Sequence, residues 1–164
     1  MTKKDNFKHI YEQSKDKIYR LCLGFTGNTM DCDDLFQEVY IKVWNNLESF
    51  RNESNVNTWI YRIATNVAIA FVTNRTKHTK KNSDLDPNTK LSYPDKRFYS
   101  DEKIAKLYQA ISTLKEKDRL LIGLVLDENS YAEISKIMGI TISNVGVRIN
   151  RIKKRLTNKM KSNG

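Results

Sequence analysis

No acidic residue follows Glu133 in this chain, although Lys136 through Lys161 supply eight positive charges. Proline is confined to Pro87 and Pro94, and cysteine to Cys22 and Cys32. No apolar run approaches the roughly eighteen residues a membrane-spanning helix needs. No signal-peptide pattern follows the opening Met-Thr-Lys-Lys, so a soluble, cytoplasmic protein is expected. The two cysteines have neither a second CxxC pair nor a histidine pair beside them, which reads as small core residues rather than metal ligands. No cofactor and no metal are therefore expected. Period-two alternation is absent throughout, and so is any internal repeat, which leaves an all-α chain.

The 164 residues suffice for one ordinary domain or two small helical ones, and a hydrophobic share of 39% is enough for a folded core. Charge is spread unevenly. Residues 1–75 carry a net +1, residues 76–100 a net +3 and residues 101–164 a net +6. An end so one-sided attracts polyanions, nucleic acid first among them. A merely solubilising basic tail would not interleave its charges with a regular apolar pattern, as this one does.

In chain order, Phe7, Tyr11, Ile18, Leu21, Cys22 and Phe25 mark one apolar helix face that ends near Gly27-Asn28, a breaker pair. A second helix starts between Thr29 and Asp31, with Asp31 and Asp33 at the positive end of its dipole. Glu48 to Asn57 reads as a loop. A third helix follows with Trp59, Ile60, Ile63, Val67, Ala70 and Phe71 on one side, and closes a first domain at Arg75. Periodicity then lapses over residues 76–100, which read as a flexible basic linker in which His78 is simply exposed. A second domain over 101–164 opens with Ile104, Leu107, Tyr108, Ile111 and Leu114, continues through the nearly all-apolar Leu120–Leu126, and is broken at Asp127-Glu128-Asn129. Ser130 and Glu133 fit a capping box, Gly139 supplies a tight turn, and a new helix begins near Thr141. A short helix, a Gly-containing turn and a second helix make a helix-turn-helix.

Two faces stand out. On the second helix Leu35, Phe36, Val39, Tyr40, Val43, Trp44 and Leu47 form one apolar stripe, while Asp34, Gln37, Glu38, Lys42 and Asn45 keep the same spacing on the other side. Asp34, Gln37 and Glu38 stand at i, i+3, i+4 and present acceptors together. On the last helix Ile142, Val145, Ile149, Ile152 and Leu156 form the apolar stripe. Asn144, Arg148, Arg151 and Arg155 lie about a quarter turn round, where Arg can read guanine edges and Asn adenine. Lys153, Lys154, Lys159 and Lys161 are placed for phosphates.

The run from Asp31 to Asn66, with Asp34-Leu35-Phe36-Gln37-Glu38, Ser49-Phe50-Arg51 and Thr58-Trp59-Ile60-Tyr61-Arg62-Ile63-Ala64, resembles region 2 of bacterial RNA polymerase sigma factors of the extracytoplasmic-function type. Leu114 to Leu156, with Ser130-Tyr131-Ala132-Glu133-Ile134 and Gly139-Ile140-Thr141, is similar to region 4 of the same family, in the family's order. The resemblance implies an alternative sigma factor of two small helical domains, region 2 over 1–75 and region 4 over 101–164. Asp34, Gln37, Glu38 and Lys42 would then dock on the clamp helices of the largest polymerase subunit, and region 4 on the flap of the second subunit. Arg62, Thr65, Asn66 and Arg75 would meet the −10 element. In the family the residue aligned with Asn66 lies in a loop that captures a flipped base, whose edge an amide suits. Trp59 is read as core rather than as a base-stacking platform. Ser143, Asn144, Val147, Arg148, Asn150, Arg151, Lys154 and Arg155 would meet the −35 element. Gly146 and Val147 depart from the family, which often has Lys or Arg at the first position and Ser at the second, so the −35 sequence cannot be copied from relatives. An anti-sigma factor is a further implied partner, and no small-molecule substrate is.

Other readings fit less of the chain. A stand-alone helix-turn-helix regulator leaves residues 31–66 without a purpose. A metal-dependent enzyme would need Asp31, Asp33, Asp34 and Glu38 to converge, yet adjacent helical acids such as Asp33 and Asp34 point about 100° apart. An adaptor that binds polymerase without reading DNA conflicts with the basic stripe.

Overall fold

The computed structural model describes residues 2–52, 55–81 and 102–162, without the side chains of 75–81 and 162. Of the linker expected over 76–100, residues 82–100, with both prolines, lie outside the described residues, and so does the side chain of His78. Seven α-helices and no strand are found among the described residues: α1 Lys3–Thr26, α2 Thr29–Asn46, α3 Val56–Lys81, α4 Glu102–Ile111, α5 Glu116–Leu126, α6 Tyr131–Met138 and α7 Ile142–Ser162. None of them is long and apolar enough to cross a membrane.

Local chemistry sets the first boundaries. The Thr2 hydroxyl accepts from the Asp5 amide (3.1 Å) and caps α1. Gly27 ends that helix in the left-handed region at φ 79°, returning its N–H to the Leu23 carbonyl. The next residue, Asn28, caps α2 by accepting from the Asp31 amide (2.8 Å), and its own amide donates to the Asp31 carboxylate (2.9 Å). A two-residue joint thus folds α2 back on α1. Their seam is aromatic, with Tyr11 and Phe36 each 4.9 Å from Tyr40 between ring centres and Phe7 5.3 Å from Trp44. Beneath it the Tyr40 and Ser14 hydroxyls share a buried 2.6 Å hydrogen bond. Cys22 and Cys32 are both buried thiols, and burial pushes Cys32 up to about 12, so both stay protonated as core residues.

Three expectations about this half need correction. The span expected as loop contains a 3-10 turn at Leu47–Ser49. The inward face of α3 is set by Ile60, Tyr61, Ala64 and Ala68, whereas Ala70 is exposed. Helix α3 also continues past Arg75 to Lys81, since no Gly or Pro interrupts residues 76–81.

Helices α4 to α7 pack on one another, with α7 against α4, α5 and α6. They do not stand apart from the first three. Helix α5 lies along α1, and α3 touches both α5 and α6. The contact is close at two glycines. A Cβ on Gly123 would come 2.9 Å from Leu21 Cδ1, and one on Gly24 would come 3.2 Å from the Tyr108 ring. Asp127, expected only as part of a helix break, is the polar centre of this seam. Its side chain is 5% exposed and accepts from Arg20 Nε of α1 (3.3 Å) and the Tyr61 hydroxyl of α3 (3.2 Å). Burial raises the Asp127 carboxyl above its ordinary value, against the opposing pull of Arg20.

A raised carboxyl holds its proton more tightly in the folded chain than in the unfolded one. The stability this linkage contributes is complete below the ordinary value of 3.8 and is lost as pH rises through the higher folded value. Measured against Asp127→Asn, the parent chain should therefore gain stability as pH falls from neutrality toward 3.8. Urea midpoints of both chains at stepped pH test this, and a difference that does not change with pH would refute it.

Candidate functional site

On α2 the buried and exposed sides separate cleanly. Leu35, Val39 and Val43 are fully buried, while Asp34, Gln37, Glu38 and Lys42 all face outward. The acids of this region do not converge. Asp31 turns inward to Asn28, Asp33 accepts from the Tyr19 hydroxyl (3.2 Å), and Asp34 and Glu38 point to the outer face. No group of three or more His, Cys, Asp or Glu that could hold a metal ion occurs among the described residues. Beside the acceptor row runs a feature the sequence reading missed, an open groove of about 630 Å³ between α1 and α2. Phe7, Tyr11, Phe36, Tyr40 and Trp44 line it, with Gln37 and the exposed Ile41 at its rim. Ile41 could have been found from its position, four residues after Gln37 and three after Glu38 on the polar face.

The four α3 candidates divide. Asn66 is exposed, and it lies within the helix rather than in a loop. Arg62 is exposed, but its Nε donates to the Lys136 carbonyl of α6 (2.8 Å). Thr65 is buried, its hydroxyl donating to the Arg62 carbonyl (3.1 Å), so in this conformation it offers nothing to a ligand. Arg75 belongs to α3, and its side chain is outside the described residues. Trp59 packs against Phe50, with 4.6 Å between ring centres.

The turn between α6 and α7 is built by short-range polar chemistry. The Ser130 hydroxyl accepts from the Glu133 amide (3.1 Å) at the start of α6. Gly139 closes that helix at φ 69°, its N–H returning to the Ser135 carbonyl (2.9 Å). Thr141 Oγ1 then accepts from the Asn144 amide (3.1 Å) and opens α7. Val145, Ile149, Ile152 and Leu156 are buried. Ile142, expected in that stripe, is 55% exposed, because it stands at the first residue of α7, at the end of the helix rather than over its packed middle.

Ser143, Asn144, Val147, Asn150, Arg151, Lys154 and Arg155 are exposed together on the outer side of α7. Arg148 is the exception, half-buried and donating through Nη2 to Asp118 of α5 (3.2 Å). Gly146 faces Tyr131, whose ring a Cβ would meet at 3.7 Å, an ordinary contact. The α7 face thus combines fork-shaped donors, amides and short side chains on a rigid helix held by a helix-turn-helix. That geometry suits insertion into a major groove.

Comparison with known proteins agrees with this geometry at both ends of the chain. Residues 10–78 match the Sigma-70 region 2 family and residues 104–156 match Sigma-70 region 4. The ECF RNA polymerase sigma factor SigW of Bacillus subtilis is 32% identical over 158 residues, covering 90% of this chain and 84% of the relative. The ECF RNA polymerase sigma-E factor of Escherichia coli K12 is also 32% identical, over 142 residues, covering 79% of this chain and 74% of the relative. The fold is that of the sigma factor RpoE of Bartonella quintana, solved in complex with the anti-sigma factor NepR. That likeness has a TM-score of 0.79 at 20% identity and covers 95% of this chain and 97% of that one. The chain belongs to the extracytoplasmic-function sigma factors of the sigma-70 family. Like other members it is an alternative sigma factor that directs promoter-specific initiation and is not an enzyme.

The helix-turn-helix rests on two local devices whose loss should be measurable. Ser130→Ala removes the α6 cap and should cost about 1 kcal/mol. Gly139→Ala forces a Cβ into the left-handed region and should cost roughly 1–2 kcal/mol. Denaturant midpoints followed by circular dichroism would check both, and a neutral Gly139→Ala would contradict the strained turn.

Proposed function

We propose that the outer face of α2 docks this chain on core RNA polymerase, that α3 meets the −10 element, and that α7 reads the −35 element. In this reading residues 1–75 act as the polymerase-binding, −10 unit and residues 101–164 as the −35 unit, and the protein works in the cytoplasm. One observation carries the proposal: a row of acceptors on exposed α2 and a row of cations and amides on exposed α7 stand on opposite-charged faces of one helical chain. Asp34, Gln37 and Glu38 suit Arg and Lys of a helical coiled-coil partner through charge-assisted bonds, and the polymerase clamp helices are such a partner. Arg151, Lys154 and Arg155 with Ser143, Asn144 and Asn150 suit duplex DNA, the amides and Arg151 toward base edges and Lys154 toward phosphate. Arg148 joins them on leaving Asp118. On α3, Asn66 and Arg62 are the accessible members of the −10 set. An anti-sigma factor is a further partner in this reading, as it is for the Bartonella relative.

The stand-alone regulator predicts binding to intact duplex without polymerase. The decisive experiment mixes the purified chain with sigma-free core enzyme and follows co-elution on size exclusion. Co-elution is expected, and Glu38→Lys should weaken the complex at least tenfold while leaving the helical circular dichroism unchanged, because Glu38 is exposed and carries no packing. A Glu38→Lys chain that binds core as well as the parent would remove α2 from the docking surface.

A further inference from the structure

The outer face of α7 has one member that none of the hydrogen-bonding chemistry above uses. Val147 is 53% exposed and apolar, and it sits among Ser143, Asn150, Arg151 and Lys154. At about 100° per residue it lies roughly 170° from the mean direction of Val145, Ile149, Ile152 and Leu156. It therefore occupies the middle of the exposed side, at the point of α7 farthest from the protein's own core. A β-branched residue there does nothing for the helix, since Val has lower helix propensity than a straight-chain residue and its side chain is stiff at χ1. Of its neighbours one turn away, Ser143, Asn144 and Asn150 are short and only Arg151 at i+4 is long, so a surface laid against the N-terminal side of this strip comes close to the valine methyls. Of the long cations, Arg151 stands one turn on at i+4 and Lys154 two turns on along nearly the same line, while Arg155 lies about 80° to one side.

From this placement we infer that Val147 reads a thymine in the −35 element by packing its methyls on the thymine 5-methyl group. The major groove offers one apolar landmark, that methyl, and it marks an A·T pair without any hydrogen bond. Serine at this position would present a hydroxyl to any base, whereas valine gains only where a methyl faces it and leaves an unmatched polar edge where cytosine stands instead. The inference rests on the proposed −35 role of α7 and adds which chemical feature of the base this residue selects. Val147 sits in the second turn of α7, within the N-terminal part that base-reading helices insert deepest.

Deoxyuridine differs from thymidine only by the missing methyl, which makes the test direct. The full chain assembled with core polymerase is first used to select preferred −35 sequences from randomised promoter duplexes. Each thymine of the selected element is then replaced singly by deoxyuridine, and holoenzyme binding is measured for the parent and for Val147→Ser. One thymine position should lose about fourfold in affinity on demethylation with the parent, the worth of one buried methyl. The same position should show no thymidine-to-deoxyuridine difference with Val147→Ser. A parent indifferent to deoxyuridine at every position, or a Val147→Ser chain that keeps the parent's methyl sensitivity, overturns the inference while leaving the −35 role of α7 intact. A selection that returns no −35 preference at all overturns that role itself and the inference with it.

Discussion

Asp127 holds the two halves of this chain together, and much of the arrangement follows from that one carboxylate. A buried carboxyl is costly unless it finds donors, and here it finds Arg20 from α1 and Tyr61 from α3. Both donors belong to the first three helices, while Asp127 ends α5 in the second group. The bond geometry is possible only because α5 lies close against α1, and that closeness depends on Gly123 facing Leu21 with no Cβ between them. A polar anchor and an apolar close approach reinforce each other at one seam. The same seam brings α3 against α6, where Arg62 donates to the Lys136 carbonyl.

The two proposed interaction faces use one device with opposite sign. Each is the outward side of a helix whose inward side is fully buried, Leu35, Val39 and Val43 for α2 and Val145, Ile149 and Ile152 for α7. Burial fixes the rotation of each helix about its axis, and that rotation decides which polar residues face out together. On α2 the outward set is rich in acceptors; on α7 it is rich in donors. Contacts from the α7 cations to phosphate would be strongly salt-dependent and sequence-blind. In the proposed reading, choice among promoters would therefore rest on the shorter members of the face, Asn144, Val147 and Asn150, and on the forked Arg151.

Whatever depended on near neighbours was legible in the sequence. The Gly27-Asn28 joint, the Ser130 cap, the Gly139 turn and the buried stripe of α7 all follow from residues within a few positions of one another. So did the outward row of Asp34, Gln37, Glu38 and Lys42, because helical periodicity alone sorts them from Leu35 and Val39. Contacts between distant parts of the chain were not legible. Arg20 and Asp127 are 107 positions apart, and nothing local marks Asp127 as different from any acid that ends a helix. The pairing of Arg148 with Asp118, 30 positions apart, has the same origin. The rotation of α3 was read slightly wrong because small residues, Ala64 and Ala68, take the inward positions where the larger Ile63 and Val67 had drawn attention.

The faces differ in how ready they are for DNA. On α7 Ser143, Asn144, Asn150, Arg151, Lys154 and Arg155 already stand exposed on a rigid, well-capped helix, and only Arg148 must leave Asp118. On α3 Thr65 is closed off, and Arg62 is held by the backbone of α6 through Nε, which leaves only the terminal nitrogens of its guanidinium for other partners. Full use of Arg62 requires only that this one exposed hydrogen bond be released, as Arg148 must leave Asp118. In the proposed reading Arg148 and Arg62 would both be released by a change of rotamer, whereas Thr65 would be reached only if the packing over it opened. Opening that packing costs free energy that binding elsewhere can offset, and in the proposed reading the exposed acceptor row of α2 is the surface that would supply it.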